Sequence, residues 1–194
     1  TRPVSTDVEQ AQTWFDRGLL WCYGYNHEES IHCFRKALDR DPDFAMAYWG
    51  IAYASGPNYN KPWEAFGEHE LEQAVVDSYH ASKEAMARLE GATPVEKALI
   101  GTLTQRYQSD RVVDHDTFCA WNDDYAAAMK AVHEAFSDDL DISALYAEAL
   151  ISRTAWQLWD IKSGAPNEGV GTLKAVAVLE KAMEQVEDQG SEHH

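Results

Sequence analysis

Apolar positions along this chain recur at helical spacing, and no run alternates as a half-buried strand would. Leu71, Val75, Tyr79, Met86 and Leu89 mark one helix face within a stretch predicted to be helical from about Pro62 to Leu89. Punctuation divides the rest. Thr6-Asp7-Val8-Glu9 reads as a capping box opening a helix from about Asp7 to Tyr25, and Asn26, with Glu29 three residues on, opens a second that ends near Arg40. Asp41-Pro42 starts a third, Pro42 to Ser55, packed through Met46, Trp49, Ile51 and Tyr53. Thr93-Pro94-Val95-Glu96 caps another from Pro94 to about Gln108. After a polar loop, Ser109 to Asp116, helices are expected over Thr117–Phe136, Asp141–Leu158 and Thr172 to about Glu187. The result is an all-α chain of about eight helices with no strand.

The stretch Trp14 to Asn60 carries a finer pattern. Tetratricopeptide repeats (TPR) are helix pairs of about 34 residues with aromatic and small residues at fixed positions and a proline near the end. With Pro42 as that proline, Trp14, Gly18, Trp21, Ser30, Phe34 and Ala37 fall on the pattern, and Arg17 stands where Leu is usual. The small residues let two antiparallel helices approach, with Trp14, Trp21 and Phe34 filling the gaps beside them. One period later Tyr48, Ile51 and Ala52 begin a second unit. It breaks at Gly56-Pro57-Asn58-Tyr59-Asn60-Lys61-Pro62-Trp63, where Gly and two prolines cannot continue a helix. The architecture implied is a right-handed helical solenoid forming one TPR-like domain over 1–194. Residues 1–60 match best, and Asp160 to Gly171 forms a loop longer than ordinary connections.

Composition narrows the partners. An apolar content of 45% supports a real core, and a net charge of −17, from 33 acidic and 16 basic residues, excludes nucleic acid and anionic membrane. Basic protein surfaces or cations fit that charge. Three widely spaced cysteines, Cys22, Cys33 and Cys119, form no CxxC pair or disulfide framework. Together with the lack of a leader-like or membrane-spanning apolar run, they point to a reducing, cytoplasmic setting.

A further set of residues resembles one group of largely uncharacterised TPR proteins of bacteria and fungi. The set comprises Asn26-His27, Cys33-Phe34, Asp41-Pro42, Ala45 through Gly50, Gly56-Pro57-Asn58, Tyr125 with Ala128-Met129, Asp139 with Asp141, Ala147 through Leu150, Trp156 with Trp159, Gly171-Thr172 and Leu179-Glu180. The resemblance spans nearly the whole chain. It implies a longer protein, truncated here after His194, with His194 opening a histidine-bearing C-terminal half that would complete a metal or catalytic site. Read instead as a purification remnant, His193-His194 carries no such meaning.

Candidate chemistry gathers at a few residues. His27 and Glu148 carry groups that bind divalent transition metals, and the resemblance adds His194 as a metal candidate. Asn26, Asn58 and Asn60 are candidate ligand-binding carboxamides beside Trp49, Trp63, Trp156 and Trp159. Bland roles compete throughout: Asn26 suits a helix cap, His27 a helix terminus, Glu148 a structural hydrogen bond, and the tryptophans a core. Glu28 with His32 and His115 with Cys119 are four apart and read as surface pairs. No His-Glu-x-x-His motif occurs, because His27 and His32 are five apart, and no Gly-Lys-Ser/Thr follows the glycines near Gly164. Three functions compete. One is a scaffold binding a protein or peptide partner. The second is a metal-dependent enzyme or small-molecule binder with a Trp-lined pocket, its site completed by the missing C-terminal half. The third is a structural subunit whose partner is its own C-terminal half.

Overall fold

Each helix must satisfy its first amides and cover its apolar face, and the ways in which it does so set the architecture. The computed structural model describes residues 2–191, with side chains to residue 186. His193 and His194 lie outside the described residues. Among those described there are eight α-helices and one 3₁₀ turn: α1 (Glu9–Tyr23), α2 (His27–Leu38), α3 (Ala45–Ser55), the turn Trp63–Ala65, α4 (Glu68–Ala87), α5 (Pro94–Arg106), α6 (His115–Ala135), α7 (Leu140–Ser152) and α8 (Thr172–Ser191). The expected all-α class holds, and backbone bridges occur only as two isolated pairs among these residues, Asn58 with Lys61 and Trp159 with Pro166. The chain divides into two compact units, residues 1–57 with 65–114, and residues 58–64 with 115–194.

In the first unit, α1 and α2 form a hairpin about Phe34. A Cβ added at Gly18 on α1 or at Gly50 on α3 would meet the Phe34 ring at 2.5 Å, so the two glycines allow α1 and α3 to close on one aromatic side chain. Phe15 lies 5.4 Å from both Phe34 and Phe44, and Ser30 Oγ donates to the Gly18 carbonyl at 2.8 Å, joining the two helices at their closest approach. Trp21, expected to fill the gap beside the small residues, is instead 43% exposed. Arg17, the residue off pattern, stacks its guanidinium 4.7 Å over Trp14.

The segment before α1 folds back rather than capping it. Thr6 Oγ1 donates to Asp41 Oδ2 at 2.6 Å, α1 begins at Glu9, and its N-cap Val8 makes no side-chain cap. The expected Thr6 box is therefore lost to a tie between the N-terminal segment and the α2–α3 turn. Glu96 anchors the same segment. It is 1% exposed and accepts from Ser5 N (2.7 Å), Ser5 Oγ (2.5 Å), Thr93 N (2.7 Å) and Thr93 Oγ1 (2.8 Å). The expected capping box at α5 is present in full. Burial by itself would push the Glu96 carboxyl up, but the bonds from Ser5 and Thr93 outweigh it and hold the group below its ordinary value. Arg88 closes the other end, donating to the Pro42 carbonyl at 3.2 Å and lying 4.5 Å over Tyr48.

In the second unit, α7 is apolar nearly all round and buries Ile142, Leu145, Tyr146 and Ala149 against α6 and α8. Trp63 stacks on Phe118 at 4.6 Å, and Phe118 meets Trp121 edge-on at 5.3 Å. The helix expected to reach Leu158 stops at Ser152. Trp156 adopts φ 64°, a left-handed conformation that no helix interior accommodates.

Two outcomes test this packing. Gly18→Ala and Gly50→Ala should each lower stability by about 1–3 kcal/mol in urea unfolding followed by circular dichroism. Combination with Phe34→Leu should then cost less than the sum of the single changes, since both methyl groups strike the same ring. Glu96 sets a pH window. Its folded pKa lies below the ordinary carboxyl value of 4.5, so its stabilisation is complete above that value and disappears as pH falls through the depressed folded one. Glu96→Gln should cost about 1–3 kcal/mol at pH 7, and its urea midpoint should converge on that of the parent at progressively lower pH.

Candidate functional site

The sequence-derived candidates divide between the two units. Asn26, His27 and Trp49 belong to the first, and Asn58, Asn60, Trp63, Glu148, Trp156 and Trp159 to the second. Asn26 acts as the cap of α2, its Oδ1 accepting from Glu29 N at 3.2 Å, while Glu29 approaches Cys33 Sγ instead of completing a box. His27 is the half-buried first residue of α2. Trp49 is 2% exposed, stacked on Tyr53 at 5.3 Å, and its indole N–H is buried without a hydrogen-bond partner among the described residues.

The Gly56 loop resolves into two pieces. Gly56 is required for space and not for backbone angle, because a Cβ there would fall 2.1 Å from Tyr107 Oη. Beside it the buried Arg106 donates from Nη2 to the Pro57 carbonyl at 2.7 Å and lies 4.9 Å over Tyr53. The next piece is a local turn in which Asn58 Oδ1 accepts from Asn60 N (2.9 Å) and Lys61 N (3.1 Å). Asn58 Oδ1 thus shapes the backbone, as Asn does in many turns.

Glu148 is half-buried and its Oε1 accepts from Ser152 Oγ at 2.6 Å, the structural hydrogen bond weighed against metal binding. No three His, Cys, Asp or Glu residues among those described are grouped to hold a metal ion. Cysteine chemistry is unfavourable as well. Burial and then Glu29 push the Cys33 thiol up, and burial followed by Glu64, Asp116 and Asp123 does the same to Cys119, so neither is an activated thiolate.

The four tryptophans do not share one environment. Trp49 and Trp63 are core, each 2% exposed, whereas Trp156 and Trp159 stand 59% and 48% exposed. Both exposed rings sit on a loop from Arg153 to Gly171 that is internally bonded. Asp160 Oδ1 accepts from Lys162 N (2.7 Å) and Ser163 N (3.2 Å), which holds that carboxyl below its usual range. Asn167 N and Thr172 Oγ1 both donate to the Leu158 carbonyl, at 3.1 and 3.0 Å, and Asp160 N donates to the Ala165 carbonyl at 2.8 Å. At its tip Ile161 is 98% exposed. The loop is a shaped platform that displays apolar side chains.

Two features escape sequence reading. One is a second apolar face on α8, Leu173, Val176, Leu179, Met183 and Val186, all exposed. Its signal was the three- and four-residue spacing of those positions. The other is a cluster from three helices: His133 stacks on the buried Tyr146 at 5.1 Å, its Nδ1 lies 3.4 Å from Ser143 Oγ, and Lys174 Nζ lies 5.5 Å from the Tyr146 ring. Burial, then Lys181, with Glu134 opposing and Lys174 adding, pushes the His133 imidazole down, leaving it neutral at pH 7. Nothing in the sequence marks residues so far apart as neighbours.

Among the described residues no helix is long and apolar enough to cross a membrane. Compared with family models, with curated proteins and with solved structures, the chain has no significant match.

Proposed function

We propose that this chain is a tetratricopeptide-like helical-repeat protein whose role is to bind a partner protein or peptide. The hairpin of α1 and α2 supports the repeat reading, since Gly18, Ser30 and Ala37 are buried where the helices approach and Phe34 fills the space beside them. A right-handed stacking of further helix pairs is part of that proposal. The observation that carries the binding role is the exposure of Trp156, Trp159 and Ile161 on an internally hydrogen-bonded loop. Large apolar side chains left in water on a shaped support are the usual anchors of protein interfaces, where Trp is enriched among residues that dominate affinity. Trp156 adds to this, because a non-glycine left-handed conformation costs on the order of 1–3 kcal/mol and is not offset here by burial of the ring.

The experiment is selection of random twelve-residue peptides displayed on phage against the immobilised chain. Enriched peptides are expected to lose tenfold or more in affinity, about 1.4 kcal/mol, against a Trp156→Gly/Trp159→Ala variant. Glycine at 156 keeps the left-handed backbone, and far-UV circular dichroism verifies that the helices persist. Enrichment no greater than on an uncoated surface, or peptides indifferent to both changes, would contradict the reading.

A further inference from the structure

We infer that the outer face of α8 docks an amphipathic helix of a partner, one whose apolar seam is bordered by Lys and Arg. This rests on the interaction role proposed above and names the kind of partner. Val176, Leu179, Met183 and Val186 are spaced three, four and three residues apart and are 38%, 43%, 64% and 52% exposed. That spacing places them in one stripe along the helix, the seam geometry of helix-on-helix packing. The stripe is not the face α8 already uses. Ala175 is 3% exposed, Ala182 and Gln185 are half-buried, and Gln185 Nε2 donates to the Ser137 carbonyl at 3.5 Å. α8 therefore has two adjacent apolar faces, one of them uncovered. From Val176 to Val186 the stripe runs roughly 15 Å, the length of a three-turn helix.

Charge selects the occupant. Glu180 and Glu184 are exposed and follow Val176 at four-residue steps, so they line the edge of the stripe remote from the buried face. Lys174 and Lys181 lie on the opposite edge of the helix, beyond those glutamates. A docked helix therefore meets carboxylates along its outer border, and Lys or Arg there gains attraction on approach and in register. A second copy brings another net −17 to the same edge, and an anionic lipid surface brings more negative charge, so both are disfavoured.

The probe is a fluorescein-labelled eighteen-residue peptide with Leu at alternating three- and four-residue spacing and Lys on both flanks. Controls are the same peptide with Glu flanks and a scrambled sequence of equal composition, measured by anisotropy at 50 and 300 mM salt. The Lys-flanked peptide should bind at least tenfold more tightly than either control. Leu179→Gln/Met183→Gln should abolish that preference with helical content unchanged, and Glu180→Lys/Glu184→Lys should reverse it toward the Glu-flanked peptide. Equal binding of the scrambled peptide, or binding unaltered by the glutamine pair, overturns the inference. So does a concentration-dependent dimer in sedimentation velocity that the glutamine pair dissociates, because the face would then be occupied by a second copy. Phage-selected peptides that depend on Trp156 and Trp159 but not on Leu179 and Met183 would leave the interaction role standing and overturn only this placement.

Discussion

The first unit depends on the space around one ring. Phe34 is fully buried, and two of the surfaces against it are backbone at Gly18 and Gly50, where any side chain would overlap the ring. Three helices meet there. Close packing leaves no slack for a methyl group, so the identity of those two residues sets how near α1 and α3 come to α2. Other ties follow from that arrangement: Ser30 reaches the Gly18 carbonyl, and Thr6 reaches Asp41 at the turn that carries the chain from α2 into α3. Glu96 holds the start of α5 to the N-terminal segment by satisfying four donors with one buried carboxylate.

Much of this was legible in the sequence where local chemistry decides the outcome. Thr93, Pro94 and Glu96 form the box their types predict, and Asn26 caps α2, because both signals are satisfied within a few residues. Thr6 shows the limit. Its hydroxyl was as good a cap in sequence, but Asp41 stands thirty-five residues away and competes for it. Gly50 is similar, since a glycine inside an apolar run reads as a weak helix position until Phe34 is placed against it. The candidate site was legible in part. The sequence places Trp156 and Trp159 in a pocket lining, whereas they stand exposed on a loop bonded to itself through Asp160 and Leu158. The α8 stripe was hidden because an uncovered apolar face and a covered one have the same spacing.

The candidate polar residues are engaged in building the fold: Asn26 caps a helix, Asn58 shapes a turn, and Glu148 accepts from Ser152. Cys33 and Cys119 are held as thiols by burial and by neighbouring carboxylates. What the second unit offers to solvent is apolar surface on two supports, a hydrogen-bonded loop and a helix with an acidic edge. Surface of that kind gains free energy by being covered, at about 25 cal/mol per Å², and the acidic border biases what covers it.

If a partner binds the second unit through the apolar side chains of α8, backbone hydrogen exchange read residue by residue, with and without a saturating Lys-flanked amphipathic peptide, will register it. Exchange should slow in α8, Thr172–Ser191, with α1 to α5 unchanged. Protection confined to α1 through α5, or none anywhere at saturation, would contradict binding on the second unit.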